Sequence, residues 1–300
     1  MKKLSVLMIL IAGLSWGSSC LFVDTFTSMG FSSIQCTSIR LIFSLPFFHL
    51  ILLSSGVKNY KISFKSLIIF ICSGFFSVLA MCACYYFAIA NTSAAVAAVL
   101  LDTAPVFVMI MSAIFFKEKI TLKKAIVLII TVIGTALASG IVGGIKGSVI
   151  GVAIGLLSGF TYALYSILTP FALKEKNSPM ACTAFSFTFA ALASTLIAPP
   201  ADIINTVSKQ PNLPLTILFF FFFSLITAVL PFGLYTYALV HIKPDVASLL
   251  ATSEPITATI FGATVLAQKL DIFQIVGILL VIGAISSLNI SFKSKRKIIA

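Results

Sequence analysis

Three ionisable residues, Arg40, Asp102 and Glu254, stand inside long apolar stretches of the chain. A charge in that setting is costly and as a rule faces a cavity, a partner or a solute path. Asp102 and Glu254 each lie within three residues of a proline, Pro105 and Pro255, and the two prolines are 150 residues apart. Proline removes a rung from the helix hydrogen-bond ladder and frees carbonyl groups. A carboxylate beside freed carbonyls at mid-membrane makes a polar site that can take a small organic solute or a proton. The competing reading makes the prolines kinks for packing and pairs Arg40 with Asp102 as a structural ion pair at similar depth. For Arg40, a structural or rim position weighs more than direct substrate contact.

Aromatic residues extend this set. Trp16 sits near the middle of the first apolar run, although Trp prefers membrane interfaces. Aligning Gly13-Leu-Ser-Trp16-Gly17 with Ser158-Gly-Phe-Thr-Tyr162-Ala163 makes Tyr162 its counterpart. Two such rings facing each other would flank an organic substrate by stacking or cation–π contact. Packing against helices or lipid serves them equally well. Tyr85, Tyr86, Tyr235 and Tyr237 occupy corresponding places further along. The candidate cavity residues are therefore Trp16, Arg40, Tyr86, Asp102, Tyr162, Tyr235 and Glu254, with Pro105 and Pro255 as helix breaks. His49 reads as a satisfied polar residue, Glu118 as a solvated partner of its neighbouring lysines, and Phe219 to Phe223 as a lipid-facing run.

Catalytic signatures are missing from the sequence. It has no P-loop, no G-x-S-x-G and no H-E-x-x-H, and its two histidines, His49 and His241, share no ligand spacing. The six cysteines form no C-x-x-C pair and read as small packing residues. Neither a catalytic residue nor a metal site nor a cofactor is expected, and an enzyme is the least favoured class.

The elements that position these residues are membrane helices. The chain has 300 residues, 60% hydrophobic and 9% charged, with a mean hydropathy of +1.16. Soluble domains are nearer half apolar and a quarter charged, so lipid is the expected solvent. Apolar runs at 4–23, 34–54, 67–90, 93–116, 124–142, 149–171, 180–198, 215–240, 246–267 and 272–291 predict ten spans. None alternates with period two, which argues for helices rather than barrel strands. The first run is expected to remain as an uncleaved helix, because Ser15 to Ser19 fits a cleavage site poorly.

The net charge of +12 is spread over loops and termini. It therefore reads as a topology signal, not a nucleic-acid surface. With the N-terminus in the cytoplasm, inside segments carry sixteen Lys and Arg residues and outside loops carry three, Lys146, Lys209 and Lys269. Both termini are thus expected on the cytoplasmic side of a bacterial inner membrane. The expected partners are the lipid bilayer and a small-molecule substrate; oligomeric state leaves no sequence signal.

The halves repeat. Ala88, Val96, Ala97 and Pro105 fall on Ala238, Val246, Ala247 and Pro255 at a constant offset of 150, and VIGTAL (132–137) matches VIGAIS (281–286). Five spans per half is an odd number, so the second copy would be inverted in the membrane, a construction common in secondary transporters. The expected units are 1–143 and 147–293.

Taken together, Gly13-Leu-Ser-Trp16-Gly17-Ser18, Arg40, Phe116-Lys-Glu118-Lys-Ile-Thr and Ser253-Glu254-Pro255 resemble the ten-helix EamA branch of the drug/metabolite transporter superfamily over nearly the whole chain. The resemblance implies two five-helix repeats around a central cavity and transport, commonly export, of amino acids or other small metabolites. Two departures stand out. Gln268 replaces a Glu usual in the second repeat, so inner and outer gates need not be equivalent. Asp102 stands where the first repeat is generally apolar or small, which would favour a cationic group or a coupling proton. Efflux of cationic drugs, uptake of a cofactor-like metabolite, a channel and a non-transporting membrane protein are the alternatives.

Overall fold

A computed structural model describes residues 2–91, 94–138, 148–265 and 271–287. Among them the chain is helical, with no strand. The first half comprises α1 Lys2–Gly17, α2 Ser19–Ser28, α3 Ser33–Ser54, α4 Phe64–Cys72, α5 Ala80–Asn91, α6 Ala94–Leu101, α7 Ala104–Phe116 and α8 Leu122–Ala138. The second comprises α9 Val149–Lys174, α10 Pro179–Ile197, α11 Pro200–Val207, α12 Leu213–Ser224, α13 Leu230–Ala238, α14 Pro244–Ala251, α15 Ser253–Thr264 and α16 Ile272–Ser287.

Helix starts follow from local chemistry. Ser63, Ser148, Ser178 and Asn212 cap α4, α9, α10 and α12 by accepting a backbone N–H three residues on. Ser32 and Gln35 form a reciprocal capping box at α3. Among the described residues six helical stretches are long and apolar enough to cross a membrane: Ser33–Ser54, Phe64–Tyr85, Ala97–Phe116, Val149–Lys174, Pro179–Ile197 and Leu213–Ala238. The four other expected spans fall on helices that are broken or short. One is interrupted between α1 and α2 and another at Thr252, while α8 and α16 have 17 and 16 described residues.

The packing repeats with the halves exchanged. α9 packs on α5, α6 and α7, and α1 packs on the repeat-related α13, α14 and α15. α3 packs on α10, and α8 on α16. The last contact is close because Gly134, within VIGTAL, brings its backbone to 3.0 Å from Gly277 O, measured from where a Cβ would stand. Even the irregularities recur: π-helical turns occupy Ser73–Leu79 and Leu225–Val229, overlapping at the offset of 150. π-turns are single-turn insertions that favour functional helices.

Two local expectations are corrected. Glu118 does not pair with its neighbouring lysines; it accepts a hydrogen bond from Lys243, in the other half. Residues adjacent in sequence point to different sides of the chain, whereas packing of α7 on α14 brings Lys243, the N-cap of α14, to Glu118. Nor does the whole Phe run face lipid. Phe220 and Phe223 are buried against Phe26, because only every third or fourth residue of a helix faces its neighbour. His49 is satisfied as expected, its ring nitrogens 3.0 Å from Tyr60 Oη and 2.9 Å from Thr188 Oγ1.

Candidate functional site

The centre of the molecule is built from two broken helices. The first breaks at Asp102 and Thr103, between α6 and α7; the second breaks at Thr252, between α14 and α15. Pro105 lies in the first turn of α7, where a missing N–H is tolerated. Pro255, buried in the first turn of α15, plays the same part. At each break a threonine hydroxyl donates back three residues, Thr103 to Leu100 O and Thr252 to Leu249 O, both at 2.6 Å.

Glycines let the opposite half close on each break. A Cβ on Gly159 would stand 2.8 Å from both Leu100 O and Thr103 Oγ1. A Cβ on Gly13 would stand 2.0 Å from Ser253 Oγ, and one on Gly17 would stand 2.7 Å from Glu254 O. Thr103 and Ser253 are repeat partners at the offset of 150, and Gly13 and Gly159 are partners in the alignment that pairs Trp16 with Tyr162. Each leading helix therefore seats its glycine on the other half's break.

Between the breaks lies a cavity walled by Asp102, Ala104, Pro105, Tyr162, Ser166, Tyr235, Ser248, Thr252 and Glu254. Its volume is about 10 Å³, the room of roughly one water. Asp102 and Glu254 come from opposite halves and form no ion pair with a basic side chain among the described residues.

Trp16 is buried beside the cavity. Its ring lies edge-on to Tyr162 at 6.3 Å between centroids and to Phe232 at 5.1 Å, and 5.7 Å from Tyr235, distances typical of favourable aromatic pairs. The Tyr235 hydroxyl is 2.7 Å from Ser166 Oγ. Tyr165 makes the matching contact to Thr236 Oγ1, also at 2.7 Å.

Of the residues singled out in the sequence, Asp102, Pro105, Tyr162, Tyr235 and Glu254 share the cavity wall, and Trp16 packs on two of them. Arg40 does not join the wall and does not pair with Asp102. Its Nη2 donates to Cys82 Sγ at 3.5 Å and its Nε has no hydrogen-bond partner, although Glu254 lies within reach of its charge. The Tyr86 side chain and all of Gln268 lie outside the described residues. Ser166, Ser248 and Thr252 were not foreseen, and Thr252 alone had a signal, as the repeat partner of Asp102. Among the described residues no group of three or more His, Cys, Asp or Glu side chains could hold a metal ion.

Comparison with known proteins agrees with this architecture. A model of the EamA-like transporter family matches the chain twice, over residues 3–140 and 149–290. An uncharacterized transporter of Archaeoglobus fulgidus is 26% identical over 195 residues, 65% of this chain and 67% of its own. A solved crystal structure shares the fold with a TM-score of 0.74 at 16% identity, covering 94% of this chain and 95% of that one. The chain is a multi-pass membrane protein that belongs to the EamA-like transporter family.

Proposed function

We propose that this protein is a secondary carrier that exports a small organic metabolite, such as an amino acid, across the bacterial inner membrane by alternating access. Ten spans form two inverted five-helix repeats, 1–143 and 147–293, with both termini in the cytoplasm. The bias of sixteen basic residues to three supports that orientation, and the exchange of packing partners between halves supports a two-fold relation between them. Substrate binds where the repeats meet, among Trp16, Tyr86, Asp102, Tyr162, Tyr235 and Glu254, with Arg40 just behind.

The observation that carries this reading is the cavity itself. Each repeat contributes a proline-terminated helix break and one carboxylate to it. Two neighbouring carboxylates that form no ion pair among the described residues are costly in a low-dielectric interior. A proton or a positively charged substrate group offsets that cost, so Asp102 and Glu254 are the groups to couple export to proton flow. The same two residues favour a second reading, efflux of cationic drugs, which hypersensitivity of a deletion strain to such compounds would support.

The test begins with a thermal-shift screen of the purified protein against amino acids and related metabolites, since a ligand present at 100 times its Kd stabilises by about 2.7 kcal/mol. Flux of each stabilising compound is then measured in proteoliposomes. Saturable flux that is lost in Glu254→Gln and Asp102→Asn is the expected result. Non-saturable flux, or saturable flux indifferent to both substitutions, would sink it.

A further inference from the structure

Among the described residues three ion pairs form, and all three join the first half to the second. They are Lys124 with Asp245, Lys243 with Glu118, and Lys65 with Glu175 at 2.6 Å. Every one of these residues belongs to a segment assigned to the cytoplasmic side by the distribution of basic residues. The pairs differ in setting. Lys65 is 72% exposed, and such surface pairs contribute little. The Asp245 side chain is 2% exposed and that of Glu118 12%, so their charges depend on their partners.

Asp245 is also fixed from its own helix. It stands in the first turn of α14, where the helix dipole favours an acidic group, and its Oδ1 accepts the Val246 N–H at 2.8 Å. From Asp245, α14 runs straight into the cavity: Ser248 and Ala251 are on its wall, and Thr252 is the break. Seven residues at 1.5 Å each put Asp245 about 10 Å along the helix from Thr252. Lys124 and Glu118 stand at the facing ends of α8 and α7, and α7 begins at the other break. Lys243–Glu118 therefore bridges the cytoplasmic ends of α14 and α7, the two helices whose opposite ends form the site, and Lys124–Asp245 ties α14 to the adjoining start of α8.

The opposite end of the molecule lacks these charges in its sequence. At the repeat offset of 150, Glu118 and Lys124 correspond to Gln268 and Gln274, and Lys243 and Asp245 to Ser93 and Ala95. All four are neutral.

We propose that Lys124–Asp245 and Lys243–Glu118 form a charge latch that holds the two repeats together at the cytoplasmic end. The resting carrier is closed toward the cytoplasm, inward opening requires release of both pairs, and outward opening meets no equivalent restraint. This inference rests on the alternating-access reading and on its membrane orientation.

Double electron–electron resonance in proteoliposomes tests it, with spin labels on Lys119→Cys and Lys176→Cys, two exposed cytoplasmic positions in different halves, in a background without native cysteines. The wild type is expected to give mainly the short distance. Asp245→Asn and Lys124→Gln are expected to raise the long-to-short ratio about ten-fold or more. The exchanged pair Glu118→Lys with Lys243→Glu, which suits the C-terminal end of α7 and the N-terminal end of α14, is expected to restore the short distance, which separates lost attraction from lost folding. Glu118→Gln is expected to act in the same direction as Asp245→Asn, Lys65→Gln to change nothing, and 1 M salt to lengthen the wild-type distance through Lys243, whose side chain is 34% exposed. A distribution indifferent to Asp245→Asn, or an exchanged pair that stays open, overturns the latch. If such indifference accompanies a cavity cysteine that reacts from both membrane faces, the carrier reading stands and only the latch falls. If that cysteine reacts from one face alone, the carrier reading falls first.

Discussion

The break segments Asp102–Pro105 and Thr252–Pro255 are the same backbone device carrying different side chains. Both have a proline in the restarted helix, a threonine hydroxyl returned to a carbonyl at 2.6 Å, and a glycine of the opposite half seated against them. Their polar content diverges. At the offset of 150, Asp102 corresponds to Thr252 and Ala104 to Glu254. Close packing constrains the backbone of both copies alike, because a clash in either one splits the interface. Side chains on the cavity wall carry no such duty. The two copies share a shape and divide the chemistry, and each keeps one carboxylate at a different register.

The sharpest test of that contrast is the aromatic pair. Trp16 is 5% exposed and touches three rings. Tyr162 touches Trp16 but also ends on the cavity. Trp16→Ala should cost about 3–5 kcal/mol of stability and Tyr162→Ala less than half as much, read from unfolding in detergent. Equal losses would mean that the two aromatics do the same job.

A smaller effect is expected at the glycines. Gly17→Ala and Gly159→Ala press a methyl group against backbone carbonyls, Glu254 O and Leu100 O, and should each cost about 1–3 kcal/mol. Gly13→Ala meets first the Ser253 hydroxyl, which can rotate away, so its cost should be lower. Thermal midpoints of the three variants check the order. If Gly13→Ala proved the worst, the close approach at the second break would be tighter than described. The smallest effect belongs to the hydroxyl pairs. Ser166→Ala leaves Tyr235 without its partner, and Thr236→Val leaves Tyr165 only the longer bond that it donates to Thr183 Oγ1 at 3.4 Å; each should cost about 1 kcal/mol, again by thermal unfolding.

Much of this was legible in the chain because it is written locally. Apolar run length, the placement of lysines, and the recurrence of Pro105 at Pro255 needed no knowledge of packing. The cavity carboxylates stood out for the same reason, since a charge inside an apolar run is conspicuous wherever it points. What stayed hidden depends on partners far away in sequence. Lys124 meets Asp245 across 121 residues and Lys243 meets Glu118 across 125, and lysines in loops looked like topology signals alone. Arg40 was conspicuous, but its contact with Cys82 was not. Ser166 and Ser248 were invisible for the opposite reason: buried serines and threonines are plentiful here, most bonding back to their own helix, so polarity alone did not mark the two on the wall.

The account stands on the claim that the cavity between the two breaks opens to each side of the membrane in turn. Ser248→Cys, on the cavity wall in a background without native cysteines, can be challenged with a membrane-impermeant maleimide in right-side-out and inside-out vesicles. Labelling from both faces, slowed by a compound that stabilises the purified protein, is the predicted result. Labelling from one face only, with or without that compound, would contradict it.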